Sequence, residues 1–229
     1  MEFIVIGVVA LVSVIVLKYV FEFKSKELKK IGEDEELDEI AKEYPSNVEL
    51  CKQYLKKLNH EKVVIEENEA TQASLYIAIT NKISIGKIQE SYTRIQTIAH
   101  ECLHSIQDRK LLLFNFLFSN IYLFYFIVIC ALLIFKVLPY PMLFLNIFLV
   151  LSMVYCLVRV FLENDAMIKA RYLAKEYMEE KKISSPEEIQ KLVAGFDKIN
   201  DIGIKCTNYM FFVQVMIKLV ILAILCFIF

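Results

Sequence analysis

The chain lacks an excess of charge of either sign, has little histidine and has no paired cysteines. Its 26 Lys and Arg against 27 Asp and Glu leave a formal charge of −1, which argues against a nucleic-acid partner. No two of the six cysteines stand at C-x-x-C spacing, and Cys130, Cys156 and Cys226 fall inside apolar runs. All six therefore read as free and mostly buried thiols, with no call for an oxidising compartment. Only Met1 and Glu2 precede the first apolar run, and no small-residue cleavage site follows it. A secretory signal is thereby disfavoured. No internal repeat or low-complexity segment stands out.

Hydrophobic residues make up 57% of the chain, and they are segregated from the charges. Residues 3–21 are apolar apart from Ser13 and Lys18 and are followed by Lys24, Lys26, Lys29 and Lys30. This is an uncleaved anchor with its N terminus outside and its C-terminal end in the cytosol. Residues 111–135 carry no charge, which is long enough to span a bilayer with some tilt. A short turn through Pro139 and Pro141 returns the chain as a second apolar run to Leu162, and residues 208–229 form the last. Arg109, Lys110, Arg159, Lys169 and Arg171 lie at one end of this hairpin against Lys136 at the other, which sets the first end in the cytosol. The expected plan is an N-terminal anchor (1–21), a cytosolic segment (22–110), a transmembrane hairpin (111–162), cytosolic helices (163–207) and a C-terminal span (208–229) ending outside. Lys218 in that last span either faces the bundle or snorkels.

The cytosolic stretches have readable local structure. GEDEELDEIAKEY, residues 32–44, reads as a solvated helix ended by Pro45, and Ser46 with Glu49 is a capping box for a helix through Leu58. Ser185, Pro186 and Glu188 open a second capped helix, with Ile189, Leu192, Val193 and Phe196 on one stripe. Between them, in residues 73–88, Ile77, Ile79, Ile83 and Ile85 alternate with polar or small residues. That is one long edge strand or a hairpin turning near Asn81. An exposed edge there would hold an extended peptide through main-chain hydrogen bonds; a strand that merely covers the next helix fits equally well.

That next helix, expected from about Tyr92 to Lys110, contains His100, Glu101 and His104 as HExxH, so two of the three histidines in the chain are spent here. Ile95, Ile98, Ala99, Cys102, Leu103 and Ile106 recur at helical spacing around them. Positions i and i+4 lie one above the other on a helix, so both imidazoles can reach one ion, and Glu101 is placed to touch a water on it. A catalytic zinc keeps three protein ligands and an open position. The membrane hairpin returns Glu163 to the side of the histidines, making it the candidate third ligand. Glu163 and Asp165 can equally be read as acidic residues in the first turn of a helix, where the dipole favours them.

The order of anchor, strand-bearing segment, HECLHSIQ helix, membrane hairpin, ENDA helix and final anchor resembles the bacterial membrane-bound neutral zinc metallopeptidases, the YugP-like group. More distantly it is similar to the heat-shock membrane proteases and CAAX prenyl proteases, of gluzincin type. The matching residues are His100, Glu101, His104 and Gln107, then Glu163 and Ala166, then Thr207 and Tyr209; Leu103 and Met167 stand where the family usually has small residues. The resemblance implies one zinc on His100, His104 and Glu163, with Glu101 catalytic. The fold expected is a mainly α integral membrane protein of four transmembrane helices with a small α+β, zincin-like cytosolic portion.

The function expected is a zinc endopeptidase of the bacterial plasma membrane, with its active site at the cytosolic face. It would cleave a peptide or membrane-protein substrate, with the lipid bilayer as its other partner. Arg171 and Tyr172 are the candidates for stabilising the oxyanion. A non-catalytic membrane scaffold or metal-binding interaction protein is the alternative, and a metal-ion carrier is disfavoured because the spans hold few ionisable groups.

Overall fold

The computed structural model describes residues 1–68, 70–71, 73–86 and 91–228. Lys87 and Ile88, at the end of the expected strand region, and Phe229, at the end of the last apolar run, lie outside the described residues. Among the described residues the protein is mostly helical, with a three-stranded sheet and four helices long and apolar enough to cross a membrane. The chain separates into two compact units. One comprises Met1–Phe23, Phe114–Phe161 and Lys205–Phe229, and the other Lys24–Leu113 and Leu162–Ile204.

In the first unit lie α1 (Glu2–Val20), most of α6 (Arg109–Ile134), the first half of α7 (Pro141–Lys181) and the second half of α8 (Pro186–Ile228). Pro141 opens α7 at the position where a missing N–H costs nothing. Tyr122, Ile129, Leu145, Phe148, Val215 and Leu222 form the core, while Val8, Val12, Phe116, Phe124 and Val150 are exposed, so apolar surface points outward as well as inward. Lys218 faces inward among aromatic rings, its ammonium 4.4 Å from the Tyr122 ring centre and 5.6 Å from that of Tyr155.

The second unit is built on α2 (Ser25–Ile31), α3 (Glu35–Lys42), α4 (Asn47–Lys57), three strands and α5 (Thr93–Ile106), completed by the remaining parts of α6, α7 and α8. Asp34 and Ser46 accept from the backbone amides of Leu37 and Glu49 and so cap α3 and α4. The sheet runs β1 (Val64–Asn68), β3 (Lys82–Gly86), β2 (Leu75–Ile77), with β1 parallel and β2 antiparallel to β3. The hairpin form of the expected strand region is the one adopted, turning at residues 78–81, with Asn81 at φ 51°. Ile83 and Ile85, expected on an edge, instead lie on the central strand and are buried, because β1 pairs on its far side. Ile79 is in the turn and half exposed; of the four isoleucines only Ile77 belongs to an edge strand.

The HExxH helix is also shorter than expected. α5 ends at Ile106, Gln107 is extended (ψ 160°), and Asp108 accepts from the amide of Leu111 at the start of a new helix, α6. Conversely, the expected cytosolic helix from Pro186 and the last apolar run are one continuous helix, α8. On α7, Ala166, Ala170 and Ala174 recur every four residues and join Ile95, Ile98, Ala99 and Cys102 of α5 in one core. A Cβ on Gly195 would come within 2.8 Å of the Tyr92 ring, so α8 packs closely against the start of α5.

Arg94 on α5 is buried, and it caps its neighbours. Its guanidinium donates to the carbonyls of Ala41 (2.7 Å), Tyr44 (2.8 Å) and Pro45 (2.7 Å) and to Asn47 Oδ1 (3.2 Å), spanning the turn from α3 to α4. Replacing it by Met leaves these acceptors without donors, and charged hydrogen bonds with such acceptors contribute about 1.5–3 kcal/mol each, non-additively. Arg94→Met is expected to lower stability by about 2–4 kcal/mol in thermal unfolding of the detergent-solubilised protein. A loss below about 0.5 kcal/mol would contradict this account of the turn.

Candidate metal centre

The site is assembled from α5, α7 and strand β2. The N-terminal end of α5 is pinned by Asp38, whose Oδ1 accepts from the Tyr92 amide at 2.7 Å, and by the Tyr92 hydroxyl, which donates to the Ile31 carbonyl at 2.8 Å. From behind, the Tyr54 hydroxyl donates to the Ile95 carbonyl at 3.2 Å. Buried Cys102 sits beside Cys51, and all six cysteines are free. A helix held at its start, its back and its flank presents its remaining face with little freedom, which is the preorganisation a ligand site needs.

On that face, His100 Nε2 and His104 Nε2 are 3.0 Å apart, and Glu163 Oε2 from α7 is 3.5 Å from each. Ligand atoms about 2.0–2.1 Å from a tetrahedral zinc stand about 3.3 Å from one another, so a triangle with sides of 3.0, 3.5 and 3.5 Å is close to one face of that tetrahedron. Two imidazoles and a carboxylate are also the donor set of a catalytic site with an open fourth position. Among the described residues this is the one group of three or more His, Cys, Asp or Glu arranged to hold a metal ion. All three side chains are partly exposed.

The electrostatics of the group are mutual. Burial works against the charge on Glu163, yet hydrogen bonds from the two imidazoles hold its carboxyl well below the usual range. Burial likewise disfavours the imidazolium of His104, but Glu163, aided by Glu101 and Gln107, outweighs it and raises the pKa. Glu101 is 7% exposed. Burial raises its pKa, against the pull of both histidines and of the Tyr76 amide, which donates to Oε2 at 2.7 Å. A carboxylate in this condition is a stronger proton acceptor than an exposed one.

Of the residues singled out in the sequence, the structure brings His100, Glu101, His104 and Glu163 together. It does not bring Arg171 and Tyr172 there. Arg171 lies about 12 Å further along α7 than Glu163 at 1.5 Å per residue. Its guanidinium bonds Asp197 at 2.6 Å and the Tyr172 hydroxyl at 2.8 Å, and the Tyr172 ring is exposed. Arg171 is held in an ion pair between α7 and α8 and Tyr172 accepts a hydrogen bond from it, which takes both away from an oxyanion at the site. Asp165 is not among the three converging ligands; it pairs with Lys169 at 2.5 Å and accepts from Gln107 at 3.1 Å.

The Tyr76 amide escaped the sequence reading because a backbone donor has no residue signature; its one signal was the strand just before the motif. Gln107 stood in the motif as a matching letter without a role; it lies just past the end of α5, three residues after His104, close enough in sequence for its side chain to reach the ring. No family model, no curated protein and no solved structure matches the chain.

Proposed function

We propose that the protein is a membrane-integrated zinc endopeptidase, with His100, His104 and Glu163 as metal ligands and Glu101 as general base. The observation that carries this reading is the convergence of two imidazole nitrogens and a carboxylate oxygen within 3.5 Å of one another, beside a buried glutamate. The likeness of HECLHSIQ and ENDA to the bacterial neutral zinc metallopeptidases supports it independently. When bound, zinc supplies Lewis acidity, which acidifies water and polarises a carbonyl.

The chain's own groups do the rest. Glu101, raised in basicity by burial, takes the proton from the attacking water and returns it to the leaving amine. Its carboxylate is aimed by the Tyr76 amide on edge strand β2. That strand is hydrogen-bonded to β3 on one side. In this reading its other side takes an extended substrate backbone, so Ile77 keeps the role expected of it, whereas Ile79, Ile83 and Ile85 do not. The four long apolar helices are proposed to span the bacterial plasma membrane, with the termini outside and the metal centre at the cytosolic face. The cluster of Arg109, Lys110, Arg159, Lys169 and Arg171 supports that orientation.

Metal content separates this reading from a metal-free scaffold. The purified chain is expected to hold one zinc, and His104→Ala or Glu163→Ala to weaken binding by about 100-fold or more, since even residues behind the ligands are worth about 10–100-fold. Equal zinc content in all three proteins would remove the site from consideration. Cleavage separates an enzyme from a metal-binding scaffold. A casein-like or membrane-peptide substrate should be cut and a chelator should stop it. Glu101→Gln should retain zinc while losing about 10²–10⁴ in kcat, and undiminished turnover by that variant would refute the mechanism.

A further inference from the structure

The geometry points to Gln107 as a positioning residue that fixes the ring of His104 through a directed hydrogen-bond chain from α7. The inference rests on the reading of His100, His104 and Glu163 as metal ligands. It begins with the backbone: α5 stops at Ile106 and Gln107 is extended, and its side chain reaches back to His104 on the helix just ended. The carboxamide then has three neighbours. On one side are the Leu162 carbonyl at 2.8 Å and Asp165 Oδ2 at 3.1 Å; on the other is His104 Nδ1 at 2.8 Å.

The first two neighbours decide the orientation of the amide. A carbonyl and an ionised carboxylate can only accept, so the NH₂ of Gln107 must face them and its oxygen must face His104. An amide oxygen can only accept as well, so the proton of the neutral imidazole is on Nδ1. Its lone pair is then on Nε2, the atom 3.0 Å from His100 Nε2 and 3.5 Å from Glu163 Oε2. The chain has an anchor at its far end, because Asp165 is itself held by Lys169 at 2.5 Å. Lys169, Asp165 and Gln107 therefore hand a fixed polarity to the ring: the proton on Nδ1 is held in place, and any proton that Nε2 shares with Glu163 is the one an ion would displace.

The same amide also performs a mechanical task. Leu162 is the residue directly before Glu163, so Gln107 ties the ring of one candidate ligand to the backbone that carries another. Hydrogen bonds to the far nitrogen of a ligating histidine orient the ring and raise its basicity. Gln107 touches the ligand and Asp165 does not, so the main effect belongs to Gln107, and loss of Asp165 acts by freeing the amide to turn over.

Zinc affinity of the full-length protein in detergent, measured by competition with a chelator, tests this without reference to turnover. Gln107→Leu is expected to bind zinc about 10–100-fold more weakly than wild type. Gln107→Glu keeps an acceptor for Nδ1 and loses both donations, so it is expected to retain more affinity than Gln107→Leu. The control is Arg94→Met, which destabilises the α3–α4 turn of the same unit and should leave zinc affinity within about threefold, separating positioning from general destabilisation. In ¹⁵N-histidine spectra of the zinc-loaded protein, the Nδ1–H of His104 should be protected from exchange in wild type and unprotected in Gln107→Leu. Zinc binding by wild type, with Gln107→Leu within about threefold of it, overturns the inference alone. A wild type that binds no zinc overturns the metal reading and the inference together.

Discussion

Everything at the candidate centre depends on one spatial meeting. Two imidazoles on α5 face a carboxylate on α7 that is 59 positions further along the chain from the second of them, at 3.5 Å from each ring nitrogen. Three polar or charged groups do not gather in this way without compensation. Glu163 keeps its charge against burial because the histidines hydrogen-bond to it, and His104 is drawn toward its protonated form by the same carboxylate. In the proposed reading a divalent cation would replace those shared protons with a stronger attraction for all three groups.

The packing explains how the meeting is held. Ala166, Ala170 and Ala174 give α7 a narrow face, and Ile95, Ile98 and Ala99 of α5 join them in one core, with Glu163 a turn before the first alanine. At the other end of α5, Gln107 bonds both His104 and the residue preceding Glu163. Hydrophobic burial brings the helices together; hydrogen bonds then set rotation and ring orientation, a division of labour that follows from the lack of direction in the first and the strict geometry of the second.

Much of this was legible in the chain and some was not, for physical reasons. His100 and His104 are readable as a pair because helical spacing is local, and Ser46 and Ser185 are readable as caps for the same reason. Glu163 was readable only through topology, as the first carboxylate after a hairpin that had to return. Ile83 and Ile85 were misplaced on an edge because β1, VIEEN, has no alternation to announce it, and the parallel pairing that buries β3 is non-local. The length of α8 was hidden because hydropathy changes along it while backbone hydrogen bonding does not. Nothing local to Arg94 announces its burial, because its acceptors are carbonyls about fifty residues away that only the fold assembles. Arg171 and Tyr172 were placed on the correct helix, but two turns of rise and the pull of Asp197 take them elsewhere.

The most direct measurement is X-ray absorption at the zinc edge of the purified, zinc-loaded protein. The account predicts a first shell of nitrogen and oxygen alone, at about 2.0–2.2 Å, with outer-shell scattering from two imidazoles and the remaining positions filled by carboxylate and water. A sulfur shell at about 2.3 Å, or a spectrum without imidazole scattering, would contradict it, because the ion would then be bound somewhere other than between α5 and α7.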